Sequence, residues 1–134
     1  MAARNDAVEK FTVGSPDVWW QRGEQKIFLG DVLDGSNDVK MSVGYARYEG
    51  AESNPWTVTY DEALIVTKGR FIVDGENGPV AAGPGEIIYL RAGAKVVYRT
   101  EEPTELVYVT YPHWYEATSD SPKAAQLAEF HRAD

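Results

Sequence analysis

Residues 56–69 read Trp-Thr-Val-Thr-Tyr-Asp-Glu-Ala-Leu-Ile-Val-Thr-Lys-Gly and set Tyr60, Asp61 and Glu62 side by side at the head of an apolar run. The 134 residues include two histidines and no cysteine, so thiolate chemistry, disulfides and cysteine-ligated zinc are excluded. Proton transfer then falls to carboxylates and phenols. A glutamate among strand residues can act as general acid or base, and a neighbouring tyrosine can donate a hydrogen bond to a developing oxyanion. The same triplet also suits a solvated loop whose polar groups are satisfied by backbone. The residues alone leave both readings open, with Glu62 and Tyr60 as the catalytic candidates.

Chemistry of this kind needs elements that hold it still, and the pattern supplies strands. Ile27 to Leu33 is apolar and stops at Asp34-Gly35-Ser36-Asn37, a turn-favouring cluster. Val39, Met41, Val43 and Tyr45 alternate with Lys40, Ser42, Gly44 and Ala46, the period of a strand with two unlike faces. Arg70–Asp74, Val80–Ala82, Glu86–Leu90, Lys95–Arg99 and Glu105–Tyr111 follow, separated by Gly-rich turns such as Gly83-Pro84-Gly85. Strands this regular, with no helical period between them, predict an all-β antiparallel sandwich or small barrel. One domain is expected over residues 1–134: an arm over 1–25 carrying Trp19-Trp20, a barrel over 26–115, and a tail over 116–134. Ser121 and Pro122 suit a helix start there, with Ala124, Leu127 and Phe130 as its apolar stripe.

The net charge of −8 and the scatter of basic residues argue against nucleic acid and anionic membranes as partners. The opening residues lack an apolar segment of signal-peptide type, and no stretch reaches transmembrane length, so a cytoplasmic location is the expectation.

Tyr60-Asp61-Glu62, Gly69, Gly83-Pro84-Gly85-Glu86-Ile87-Ile88-Tyr89 and Gly93 together resemble the two motifs of the cupin superfamily, whose fold is a small antiparallel β-barrel or jelly roll. Glu62 and Gly69 have the spacing of the first motif. Its two metal-binding histidine positions fall on Trp56 and Val58, and that of the second motif on Val96, so three of four expected ligands are missing. A lone carboxylate is a poor transition-metal site, so no metal and no cofactor is expected. Trp56, the Tyr60–Glu62 triplet, Gly83-Pro84-Gly85 and the ending Val109-Thr110-Tyr111-Pro112-His113-Trp114 resemble the cupin branch represented by the ethanolamine-utilisation protein EutQ. No Gly-rich phosphate loop followed by Lys and Ser or Thr is present, so the acetate kinase activity ascribed to EutQ is not expected to carry over.

The cupin pattern implies that Trp56, Val58, Glu62, Leu64 and Val66 face inward. Desolvation would then raise the pKa of Glu62 toward neutrality. Trp56 would supply a stacking wall and Tyr98 would line the same pocket. Tyr89, Tyr108 and Lys95 are further substrate-binding candidates whose facing the period leaves open, and His113 sits near a rim. The expected function is binding of a small polar or carbonyl-containing molecule, with metal-independent isomerase, lyase or hydrolase chemistry on Glu62. The alternative is a non-catalytic sensor or scaffold of an ethanolamine-type pathway. Cupins commonly pair through sheet edges, so a homodimer is expected, with Trp19-Trp20 as its handle.

Overall fold

The computed structural model describes residues 7–133, so residues 1–6 of the expected arm and the final residue of the tail lie outside it. Strands β1 (Trp20–Arg22), β2 (Ile27–Leu33), β3 (Ser42–Tyr48), β4 (Ser53–Thr57) and β5 (Asp61–Lys68) form the first half. Strands β6 (Phe71–Gly75), β7 (Gly78–Ala82), β8 (Ile87–Leu90), β9 (Lys95–Arg99) and β10 (Thr104–Tyr111) follow. Helix α1 (Trp114–Ser119), a 3-10 turn (Ala124–Glu129) and strand β11 (Phe130–Arg132) complete the chain. A seven-stranded sheet runs in the order β11-β1-β2-β3-β10-β5-β8, and a four-stranded sheet in the order β4-β9-β6-β7. All pairings are antiparallel, and the inner faces of both sheets share one core that includes Val58, Val66, Phe71, Val73, Tyr98 and Leu106.

The run through Glu62 crosses between the sheets. Trp56 lies in β4, Tyr60 in the connection, and Glu62 in β5, with every even-numbered residue from 54 to 66 buried. Gly69 ends β5 at φ 81°, and a Cβ there would collide with the Pro103 carbonyl and with Thr104. The Glu62–Gly69 spacing therefore answers to backbone geometry that glycine alone meets without strain.

The alternation in β3 runs against hydrophobicity. Ser42, Gly44, Ala46 and Tyr48 face the core, while Val43 and Tyr45 face away. Tyr108 of β10 and Asp31 of β2 stand opposite Gly44 on its two sides. The Tyr108 ring lies across the glycine, and an added Cβ would overlap its hydroxyl and the Gly30 carbonyl. A large side chain at position 44 would fill the space the tyrosine occupies.

The two termini depart from the expected arm and helix. Trp20–Arg22 is a strand paired with β2 on one side and with β11 on the other. A pairing across more than a hundred residues has no local period, so neither strand was legible. A short C-terminal helix is present as α1, but it precedes Ser121 rather than starting there, and Ala124–Glu129 is a 3-10 turn. Gln126 anchors that turn by accepting from the Thr57 amide at 3.1 Å and donating to the Thr57 carbonyl at 2.8 Å. Leu127 and Phe130 still pack on the core. Trp19 is engaged within the chain, since the Arg47 guanidinium stands 4.7 Å from its ring centroid and Gly30 leaves room for Trp19 and Pro16.

Candidate functional site

Residues from both sheets line a cavity of about 40 Å³ whose walls are mainly aromatic rings. This is room for roughly three water-sized atoms, far below the ~300–1,000 Å³ of sites for drug-sized ligands. Glu62 lies in its wall, 7% exposed, at the head of β5 opposite Thr110 and Leu90. Tyr98, projecting from the opposing sheet, donates to Glu62 Oε1 at 2.6 Å, so one hydrogen bond ties the two sheets through the carboxyl. Burial pushes the pKa of Glu62 up to about 7, and the Tyr98 hydroxyl partly offsets the rise by favouring the carboxylate.

A second polar group lies beside it. Trp56 Nε1 donates to the Tyr60 hydroxyl at 2.9 Å, which leaves the Tyr60 O–H free to donate elsewhere. Burial, with the Glu62 charge nearby, holds the Tyr60 phenol neutral well above its ordinary pKa. The rings of Trp56, Trp114 and Phe130 meet edge to face, with centroids 5.6–6.3 Å apart, and close one end of the cavity. Tyr48 meets Phe71 edge to face, and Phe71 lies tilted against Tyr98, along another side.

A second carboxylate stands behind this wall. Tyr108 donates its hydroxyl to Asp31, and Trp114 Nε1 donates to the same carboxylate at 3.0 Å. Burial raises the Asp31 pKa to about 6, the two donors lower it, and the nearby charges of Asp34 and Glu116 raise it further. Asp31 escaped the sequence reading, although an ionisable residue inside the apolar run Ile27–Leu33 was the available signal. Phe130, Trp114, Tyr48 and Asn54 were also missed as lining residues, because distant segments bring them in.

Of the eight sequence-level candidates, Glu62, Tyr60, Trp56, Tyr98 and Tyr108 converge on the cavity. Tyr89, Lys95 and His113 do not. Tyr89 is 51% exposed on the outer face of β8, with the Arg91 guanidinium 5.4 Å from its ring centroid. Lys95 has the parity opposite to Val96 and Tyr98 and projects outward from β9. His113 occupies the residue before α1 without a side-chain capping bond, its ring Nδ1 3.5 Å from Ser42 Oγ, outside the lining. Among the described residues no group of three or more His, Asp or Glu side chains is placed to hold a metal ion. Trp56, Val58 and Val96 offer no ligand atoms, so the donor set does not suit the metal that cupin motifs usually hold, and no step is derived through one.

Two facing antiparallel sheets around one shared aromatic core define a cupin-like fold. The solved cupin domain of Schizosaccharomyces pombe Cnp3 has this architecture, with a TM-score of 0.62 at 10% identity over 80% of this chain and 76% of that one. The family model described as "Ethanolamine utilisation protein EutQ" matches residues 18–117, and the chain belongs to that family. The acetate kinase EutQ of Escherichia coli K12 is 29% identical over 84 residues, 63% of this chain and 36% of that relative. The acetate kinase EutQ of Clostridioides difficile 630 is 37% identical over 59 residues, 42% of this chain and again 36% of the relative. The chain thus spans about a third of the length of the curated relatives it matches. The C. difficile EutQ structure aligns with a TM-score of 0.67 at 22% identity, covering 75% of this chain and 72% of that one. A Rhizobium leguminosarum protein of unknown function aligns with a TM-score of 0.66 at 34% identity, covering 79% of this chain and 98% of that one.

Proposed function

We propose that the Glu62 cavity is a small-molecule site in which Glu62 gives and takes a proton without a metal. The observation that carries this reading is the buried carboxyl held by Tyr98 with a pKa near 7, because a group poised near neutral pH serves as both base and acid. Tyr60, with its hydroxyl proton unspent, would donate to an oxyanion formed on a carbonyl substrate. Proton abstraction next to a carbonyl, as in isomerisation or lyase cleavage, suits these parts. Phosphoryl transfer, the activity in the relatives' names, rests on cations around the phosphates. Among the described residues the cavity lining includes no Lys, Arg or His, which supports acid–base chemistry over it.

The test is hydrogen–deuterium exchange at the carbon next to the carbonyl of small aldehydes and ketones, followed by proton NMR in deuterated water. Wild-type protein should accelerate exchange of at least one compound, and a folded Glu62→Gln variant should not. Equal acceleration by both removes Glu62 as the base. The small cavity volume favours a second reading, a non-catalytic sensor or scaffold of the ethanolamine-utilisation type. In that case a bound compound emerges without label.

A cytoplasmic homodimer belongs to the same proposal. Among the described residues no helix is long and apolar enough to cross a membrane. Val80, Ile87 and Tyr89 are exposed on β7 and β8, which end their respective sheets and border a common groove. A monomer mass by light scattering at micromolar concentration would contradict the dimer.

A further inference from the structure

The walls of the Glu62 cavity have a sign. Its ionisable carboxyl is Glu62, its other walls are largely aromatic rings, and among the described residues no Lys, Arg or His lines it. Arg22, which reaches the lining residue Asn54, is engaged by Asn54 Oδ1, by the Pro55 carbonyl at 3.3 Å and by Glu129 at 3.3 Å.

The hydrogen-bond donors are also largely committed. Tyr98 donates to Glu62, Tyr108 and Trp114 donate to Asp31, and Trp56 donates to Tyr60. Asp31 therefore has a positioning role: by accepting the Tyr108 hydrogen bond it leaves the phenol oxygen as an acceptor, with a second negative charge behind the wall. The proton of Tyr60 remains as a neutral donor, and Tyr48 and Asn54 add neutral polar groups at the margin. Nothing in the lining neutralises an anion. A small cation meets a carboxylate, phenol oxygens and a lining rich in aromatic rings, the combination that holds ammonium groups.

We propose that the molecule this cavity takes is a small protonated amine of a few heavy atoms, its ammonium seated on Glu62 among the rings of Trp56, Tyr98, Trp114 and Phe130. This rests on the reading of the cavity as a ligand site and adds the charge of the ligand. Small carboxylates and inorganic phosphate are excluded as preferred occupants, because each would place a negative charge against Glu62 with no cation to compensate.

The experiment compares ethylammonium chloride, ethanol and sodium acetate at constant ionic strength. These probes match closely in size and differ in charge. Binding is followed by tryptophan fluorescence and calorimetry. Ethylammonium should bind saturably and at least tenfold more tightly than either competitor, and Glu62→Gln should lower its affinity at least tenfold. Should that variant fail to fold, calorimetry of the wild type in buffers of different ionisation enthalpy serves instead. Near pH 6.5 ethylammonium should expel up to a full proton. The groups facing Glu62 are the phenols of Tyr48, Tyr60, Tyr98 and Tyr108, all held neutral by burial, with Asp31 behind Tyr108 as the other titrating carboxyl. Ethanol or acetate binding as tightly as ethylammonium, with loss in Glu62→Gln, overturns the ammonium assignment and leaves the cavity as a ligand site. Failure of all three probes to bind overturns the ammonium assignment, while the exchange assay with small aldehydes and ketones decides the ligand-site reading separately.

Discussion

Replacing Glu62 with glutamine keeps the shape of the buried side chain and removes its titration. In the folded chain the carboxyl holds its proton up to about pH 7, against an ordinary value of 4.5. At ~1.4 kcal/mol per pH decade, that interval corresponds to roughly 3 kcal/mol. The sign follows from the folded state binding the proton more tightly than the unfolded chain. Stability from this group is fully present below pH 4.5, declines as pH rises to about 7, and is flat above. Glu62→Gln lacks this decline, so its stability relative to wild type should climb by roughly 3 kcal/mol between pH 4.5 and 8, or about 10 °C in Tm. Asp31 has a pKa raised to about 6 and titrates with the same sign, but it does so in both proteins and cancels in the difference. Urea unfolding monitored by tryptophan fluorescence measures it directly, because Trp56 and Trp114 line the cavity. Stability curves that stay parallel within about 1 kcal/mol across this range would refute the desolvated, proton-holding carboxyl.

Tyr98→Phe removes the donor that favours the Glu62 carboxylate, so the Glu62 pKa should rise above about 7; a fall in a carbon-13 NMR titration would contradict the assigned hydrogen bond. Its stability cost should be about 1–2 kcal/mol where the carboxylate is ionised. Gly44→Ala drives a methyl into the Tyr108 hydroxyl and the Gly30 carbonyl, and should destabilise by about 2 kcal/mol or more in chemical denaturation. A loss under about 0.5 kcal/mol would mean that Tyr108 does not lie across the glycine.

Much of the strand framework could be read locally. Turn residues bound the runs, and period-two alternation carries the burial of β5, β9 and β10, so Glu62, Tyr98 and Tyr108 face inward together. The same parity turns Lys95 and Tyr89 outward, a consequence the chain contained but that needed strand register to draw. In β3 alternation held while hydrophobicity misled. The outer Tyr45 donates to the Phe11 carbonyl of the arm, and the inner Gly44 yields to a tyrosine two strands from Asp31.

By itself the sequence determined that a glutamate would sit in a β framework, seven residues before an obligatory glycine and without histidines at the matching positions. Those are statements about residue type and spacing, which local sterics and ligand chemistry enforce. Tertiary structure decided the partners of that glutamate. Tyr98 reaches it from the opposing sheet, and Phe130 arrives on a strand formed only when the two ends of the chain pair. It also decided that Asp31 would accept hydrogen bonds from Tyr108 and Trp114. Such contacts depend on register and sheet packing between residues far apart in sequence, and no local pattern encodes them.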